Sequence, residues 1–257
     1  MLTLAAALYL WLRRTNAFMP EMETPGEVRR RTAAFLFAAT ASHVWWLVVG
    51  NYWLTEERLV RDIALMALDH LTLVPLAMAV LLRMLQDRRR RLWPWIVAQV
   101  PIVGIAVAGI AMGDARSVLW MNGWQTVVIA AFVVRYFLAQ REYNRWLLDN
   151  YADLEHKDIW RSLLVAVGLC VVYEVYCNNP GMMAVEYLSQ VFTIAVALFL
   201  VWRVETLQRL ALEEEYDEPA DATDADEAGA TSATPKPKAQ RPKRPKAVAD
   251  KLSLIHI

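Results

Sequence analysis

Several polar and ionisable side chains stand inside stretches of sequence that are otherwise almost wholly apolar. Asp69 and His70 are adjacent in the run 63–85, Glu174 lies in 159–177, and Glu186 lies in 182–202. Asn51, Asn122, Gln125 and Gln190 occupy comparable positions in their own runs, with His43 deeper in 32–54. Side chains of these types hydrogen-bond small polar molecules, and a buried imidazole near carboxyl groups can sense pH. Charge at membrane depth is costly and normally faces a protein interior or water. Asn51, Asp69, His70, Asn122, Gln125, Glu174, Glu186 and Gln190 are therefore the expected lining of one outward-facing pocket that binds an unknown small ligand or a proton. The competing reading for Glu174 and Glu186, close to the ends of their runs, is that they snorkel to the interface.

The runs that carry these residues set the architecture. The chain has 257 residues, 57% of them hydrophobic, and its apolar residues come in long blocks rather than at helix or strand period within one soluble core. The blocks are 2–12, 32–54, 63–85, 93–112, 118–138, 159–177 and 182–202. A spanning helix needs about 20 apolar residues. All but 2–12 are long enough, and that block is expected to begin upstream of Met1. The fold class is all-α: a polytopic helical membrane bundle of six to seven spans, residues 1–203, with a disordered C-terminal tail.

Arginine and lysine alternate between the connections. One set holds Arg13, Arg14, Arg29 to Arg31, Arg88 to Arg91, Arg141, Arg145 and Lys157; the other holds only Arg58, Arg61 and Arg116. Basic connections stay on the cytoplasmic side, so the expected site is the inner (cytoplasmic) membrane with the C-terminus in the cytoplasm. Tryptophans mark both interfaces: Trp45, Trp46, Trp53, Trp120 and Trp124 at the outer ends, Trp93, Trp95, Trp160 and Trp202 at the inner ends.

The segment 139–157 is polar but carries Tyr143, Leu147, Leu148, Tyr151 and Leu154 at three- and four-residue steps, the spacing of an amphipathic helix. It reads as a cytoplasmic helical extension of the flanking spans. Residues 204–218 continue the last span as a cytoplasmic helix, with Val204, Leu207, Leu210 and Ala211 on a narrow stripe able to pair with a second copy in a homodimer. Residues 219–251 are acidic, then basic and proline-rich, a composition that cannot bury enough surface to fold. The final residues, Leu252-Ser253-Leu254-Ile255-His256-Ile257, can be encoded by the transposase end sequence used to fragment DNA for sequencing. The segment 252–257 is accordingly expected to be adapter-derived, with the gene continuing differently.

Enzyme signatures are missing. There is no H-E-x-x-H, no Walker A motif and no G-x-S-x-G. No block contains a lysine for a Schiff base. No catalytic residue, cofactor or metal is expected.

One motif carries a resemblance. The sequence LLDNYADLEHKDIW at 147–160, with Asn150-Tyr151-Ala152-Asp153-Leu154-Glu155-His156-Lys157 at its centre, resembles a segment of membrane-anchored AraC-type transcriptional regulators. In that family a bundle of spans leads through a charged linker to a cytoplasmic helix-turn-helix domain. The resemblance implies a membrane sensor of a one-component regulator, with Asp153, Glu155, His156 and Lys157 as a signal relay. No segment after Trp202 has the two apolar-periodic helices of a helix-turn-helix, so DNA would be reached only through a missing downstream domain. The alternative is a small-solute or proton transporter built on the outer polar cluster.

Overall fold

A computed structural model describes residues 1–13, 24–49, 52, 57–150, 164, 167, 168, 171, 172, 175 and 183–207. The chain divides into two units, Met1–Glu218 and Pro219–Ile257. The second lies wholly outside the described residues, as do the expected helix extension beyond Leu207 and most of the block 159–177.

The regular structure among the described residues of the first unit is all helix, with no strand. The helices are α1 (Leu2–Leu12), α2 (Gly26–Val48), α3 (Arg58–Met84), α4 (Trp93–Val97), α5 (Val100–Met112), α6 (Arg116–Asn150) and α7 (Met183–Thr206). Among the described residues four helices, not six or seven, are long and apolar enough to cross a membrane: Arg58–Met84, Trp93–Met112, Arg116–Asn150 and Tyr187–Thr206. At 11 residues, α1 reaches only about 16 Å, roughly half the hydrocarbon thickness. The 23-residue α2 is long enough, but it starts among Glu27, Arg29, Arg30 and Arg31 and carries Thr40, Ser42 and His43 further on.

Helix α3 is the centre of the packing, touching α2, α5 and α6, while α1 packs on α2 and α7. Outward-facing apolar side chains dominate the periphery: Val100, Val103 and Val107 of α5, and Leu188, Val191 and Leu198 of α7, are all exposed. A patch that large belongs against lipid or a partner rather than water.

Local chemistry explains the breaks. Pro101 has no N–H to continue the helix, so α4 and α5 separate at Ala98 and Gln99. The Ile102 N–H bonds back to the Gln99 carbonyl at 3.0 Å, which leaves the Ala98 carbonyl to accept the indole N–H of Trp124 at 2.8 Å. Between α5 and α6 the chain reverses at Gly113, whose φ of 63° is the left-handed conformation glycine accepts most cheaply. There Asp114 accepts the Arg116 N–H at 2.9 Å, and the Ser117 hydroxyl donates to the Asp114 carbonyl at 2.7 Å. Gly109 lets this hairpin close, because a Cβ there would stand 2.4 Å from the Ser117 Cβ. Helix α6 then runs unbroken through Asn150, with Tyr143 and Leu147 buried.

The basic connections gather at one end. Glu27 pairs with Arg83 at 2.7 Å, Arg89 at 3.2 Å and Arg31 at 3.3 Å, tying α2 to α3 and the connection after it. Arg90 pairs with Asp87 and donates to the Ala139 carbonyl at 3.2 Å, while Arg88 pairs with Glu142, tying the same connection to α6.

Candidate functional site

Position 69 on α3 faces α2, and the α2 sequence SHVWW supplies donors to meet it. The Ser42 hydroxyl donates to Oδ1 of Asp69 at 2.7 Å, the Trp45 indole donates to Oδ1 at 3.1 Å, and the Trp46 indole donates to Oδ2 at 2.7 Å. A carboxyl group withdrawn from water costs several kcal/mol unless it is hydrogen-bonded, and three donors offset that cost. Asp69 is therefore an interhelix clamp in this structure.

His70 is one residue along, about 100° around the helix from Asp69. It is 0% exposed, and Nδ1 donates to the Met66 carbonyl at 2.6 Å. On α6, Asn122 and Gln125 are 7% and 0% exposed, and Gln99 at the α4–α5 break is 3% exposed. Neither the amide nitrogen nor the oxygen of Gln99 or Gln125 has a hydrogen-bond partner. A buried polar atom left unpaired costs about 1–3 kcal/mol, so two bare carboxamides are costly to bury here.

The expected pocket residues thus fall into separate environments. Asp69 turns toward α2; His70, Asn122 and Gln125 turn inward from α3 and α6. Gln190 is on the exposed face of α7. Glu186 lies on α7, while Asn51 and Glu174 lie outside the described residues, as do the relay candidates Asp153, Glu155, His156 and Lys157. His43 is exposed, and its Nδ1 donates to the Ala39 carbonyl at 2.6 Å. A shallow groove of about 460 Å³ beside α2 is lined by Phe37, Thr40, Ala41, Val44, Trp45, Val48 and Val49, and contains none of the expected pocket residues.

Sequence reasoning passed over Ser42 and Gln99, and assigned Trp45 and Trp46 only to an interface. The signal for Gln99 was present: it is the lone polar residue between Pro94 and Pro101, in a run that is otherwise apolar.

The C-terminal end of α7 is also polar. Arg203 and Glu205 are 5% and 3% exposed, on either side of the buried Val204, with the buried Leu207 next beyond Thr206. Tyr9 of α1 hydrogen-bonds Glu205 and Arg13, and the Arg13 guanidinium lies 5.4 Å from the Tyr9 ring centre. Val204 and Leu207, half of the stripe expected to pair between copies, are buried within one chain. Among the described residues no group of three or more histidine, cysteine or acidic side chains is arranged to hold a metal ion. No protein-family model, characterised protein or solved structure matches this chain.

Proposed function

We propose that this chain is the membrane sensor module of a one-component transcriptional regulator of AraC type. In this reading α2 and the block 159–177 complete a bundle of six spans, seven with the block 2–12, in the inner membrane, with the basic end in the cytoplasm. A small ligand or proton taken from outside changes the bundle, Asp153 to Lys157 relay the change, and the charged tail passes it to a DNA-binding module beyond. The observation that carries the reading is the burial of the last turn of α7. Arg203, Val204, Glu205 and Leu207 are enclosed, with Glu205 bonded to Tyr9 of α1. A shift of the bundle would therefore move the point from which the tail leaves, which is what a tethered effector needs. The resemblance at 147–160 and the alternation of arginines support the same assignment.

The test is to sequence the source locus past codon 251 by a method that uses no transposase. An in-frame helix-turn-helix domain is expected; a genuine stop codon directly after Ile257 overturns the regulator reading.

A second reading, a small-solute or proton transporter, is favoured by the buried polar side chains His70, Gln99 and Gln125 at membrane depth. Its test is flux through proteoliposomes under an imposed pH gradient, lost in His70→Ala.

A further inference from the structure

Two apolar clusters follow one another along α3 and α6, the smaller also taking in α5, and polar residues lie between them. The smaller cluster contains Ile63, Ala67, Ile102, Ala106 and Met121. One turn from it toward the basic end stand His70, three residues past Ala67, Gln99, three before Ile102, and Gln125, four past Met121. The directions agree because α3 and α6 run toward the basic end and α5 runs away from it. One further turn brings Val74, Val128 and Ile129, with Trp95 and Ala98 against them, all part of the larger cluster.

The register has two anchors. At the far end, a Cβ on Gly109 would lie 2.4 Å from the Ser117 Cβ and 3.3 Å from Ile63 Cδ1. Counting from that contact, His70 and Gln125 lie about 10–12 Å along and Gln99 about 15 Å, all within roughly one turn of each other. The second anchor is the bond from Trp124, next to Gln125, to the carbonyl of Ala98, next to Gln99, at 2.8 Å.

Both carboxamides are more than nine-tenths buried and both are without a hydrogen-bond partner. Buried polar groups in native proteins are satisfied by protein, by ordered water or by a ligand. Asp69, next to His70, gives its carboxyl to α2, so it offers this layer no countercharge. A carboxamide donates and accepts at once.

We propose that the layer between α3, α5 and α6 is a binding site for a small neutral molecule that both donates and accepts hydrogen bonds, held by the carboxamides of Gln99 and Gln125. The molecule is either water drawn from solvent or a small amide solute. The proposal holds whether the bundle senses or transports.

The test uses the full chain, labelled with side-chain ¹⁵N-glutamine, in lipid nanodiscs. The Gln99 and Gln125 side-chain NH₂ resonances are assigned from Gln99→Leu and Gln125→Leu, or from the asparagine variants where leucine does not fold. The exposed Gln190 is the control for contact with water. Magnetisation transfer from water to the Gln99 and Gln125 NH₂ groups identifies water as the occupant. Shifts of both resonances that saturate with added acetamide, with Gln190 unmoved, identify the amide. If Gln190 exchanges with water while Gln99 and Gln125 show neither effect, the carboxamides are dry and the proposal is overturned.

Discussion

Trp46 of α2 donates its indole N–H to Oδ2 of Asp69 on α3 at 2.7 Å, and its neighbour Trp45 donates to Oδ1 at 3.1 Å. Two indoles about 100° apart on one helix converge on a single carboxyl because that carboxyl lies against the face between them. Trp46→Phe keeps most of the packing and removes one donor. It is expected to cost about 1–3 kcal/mol, since Oδ2 is left without that partner. A double-mutant cycle with Asp69→Ala, read by thermal unfolding in detergent, should give a coupling of at least about 0.5 kcal/mol; additive losses would show that the bond has no energetic role.

The α5–α6 hairpin depends on contact between Gly109 and Ser117. In Gly109→Ala the added methyl would stand 2.3 Å from the Ser117 Oγ. Overpacking of this kind costs about 1–3 kcal/mol, and Tm should fall accordingly. Adding Ser117→Gly should recover part of the loss. A Gly109→Ala protein as stable as the parent would mean that the helices are further apart than described.

At the basic end, Glu27 serves three arginines, and the Arg83 side chain is only 12% exposed. Glu27→Gln should destabilise by about 1–2 kcal/mol, between the values for exposed and buried pairs. Arg88→Ala removes a side chain that is 59% exposed and should change stability by less than about 1 kcal/mol. Equal losses from the two variants would contradict the network as described.

Orientation is open to a direct check. In a background with Cys170 and Cys177 replaced by serine, Arg89→Cys should be protected from an impermeant thiol reagent applied to intact cells, and Arg116→Cys should be labelled. The reverse pattern would invert the proposed topology.

Gly113 holds φ at 63°. Gly113→Ala should cost about 1 kcal/mol through left-handed strain, and Gly113→Asn less, since asparagine tolerates that region better. Equal Tm for the two variants would show that the turn relaxes.

Much of the layout was legible because it depends on the composition of each segment alone. Apolar blocks located α3, the α4–α5 span, the start of α6, and α7 to within a few residues, and the three- and four-residue spacing of Tyr143 and Leu147 marked α6 as longer than its apolar block. The break at Ala98 and Gln99 was not legible: 93–112 reads as one uninterrupted block, although Pro101 stands inside it. The candidate site was harder to read. Asp69 and His70 are neighbours in sequence and were grouped as one pocket, yet a helix turns them about 100° apart. Each meets a different neighbour.

What the sequence by itself determined, then, is which segments are apolar helices and that basic residues alternate between their connections. Transfer of a helix into lipid depends on its own residues and needs no partner. Only the tertiary structure decided that Asp69 is clamped by Ser42, Trp45 and Trp46, and that Gln99 and Gln125 share a buried layer with His70. Those relations depend on which helix face meets which, and that is set by side-chain packing between segments tens of residues apart, such as Gly109 against Ile63. Hydropathy records the depth of a residue in its own helix; the neighbour across the interface enters only when the helices pack.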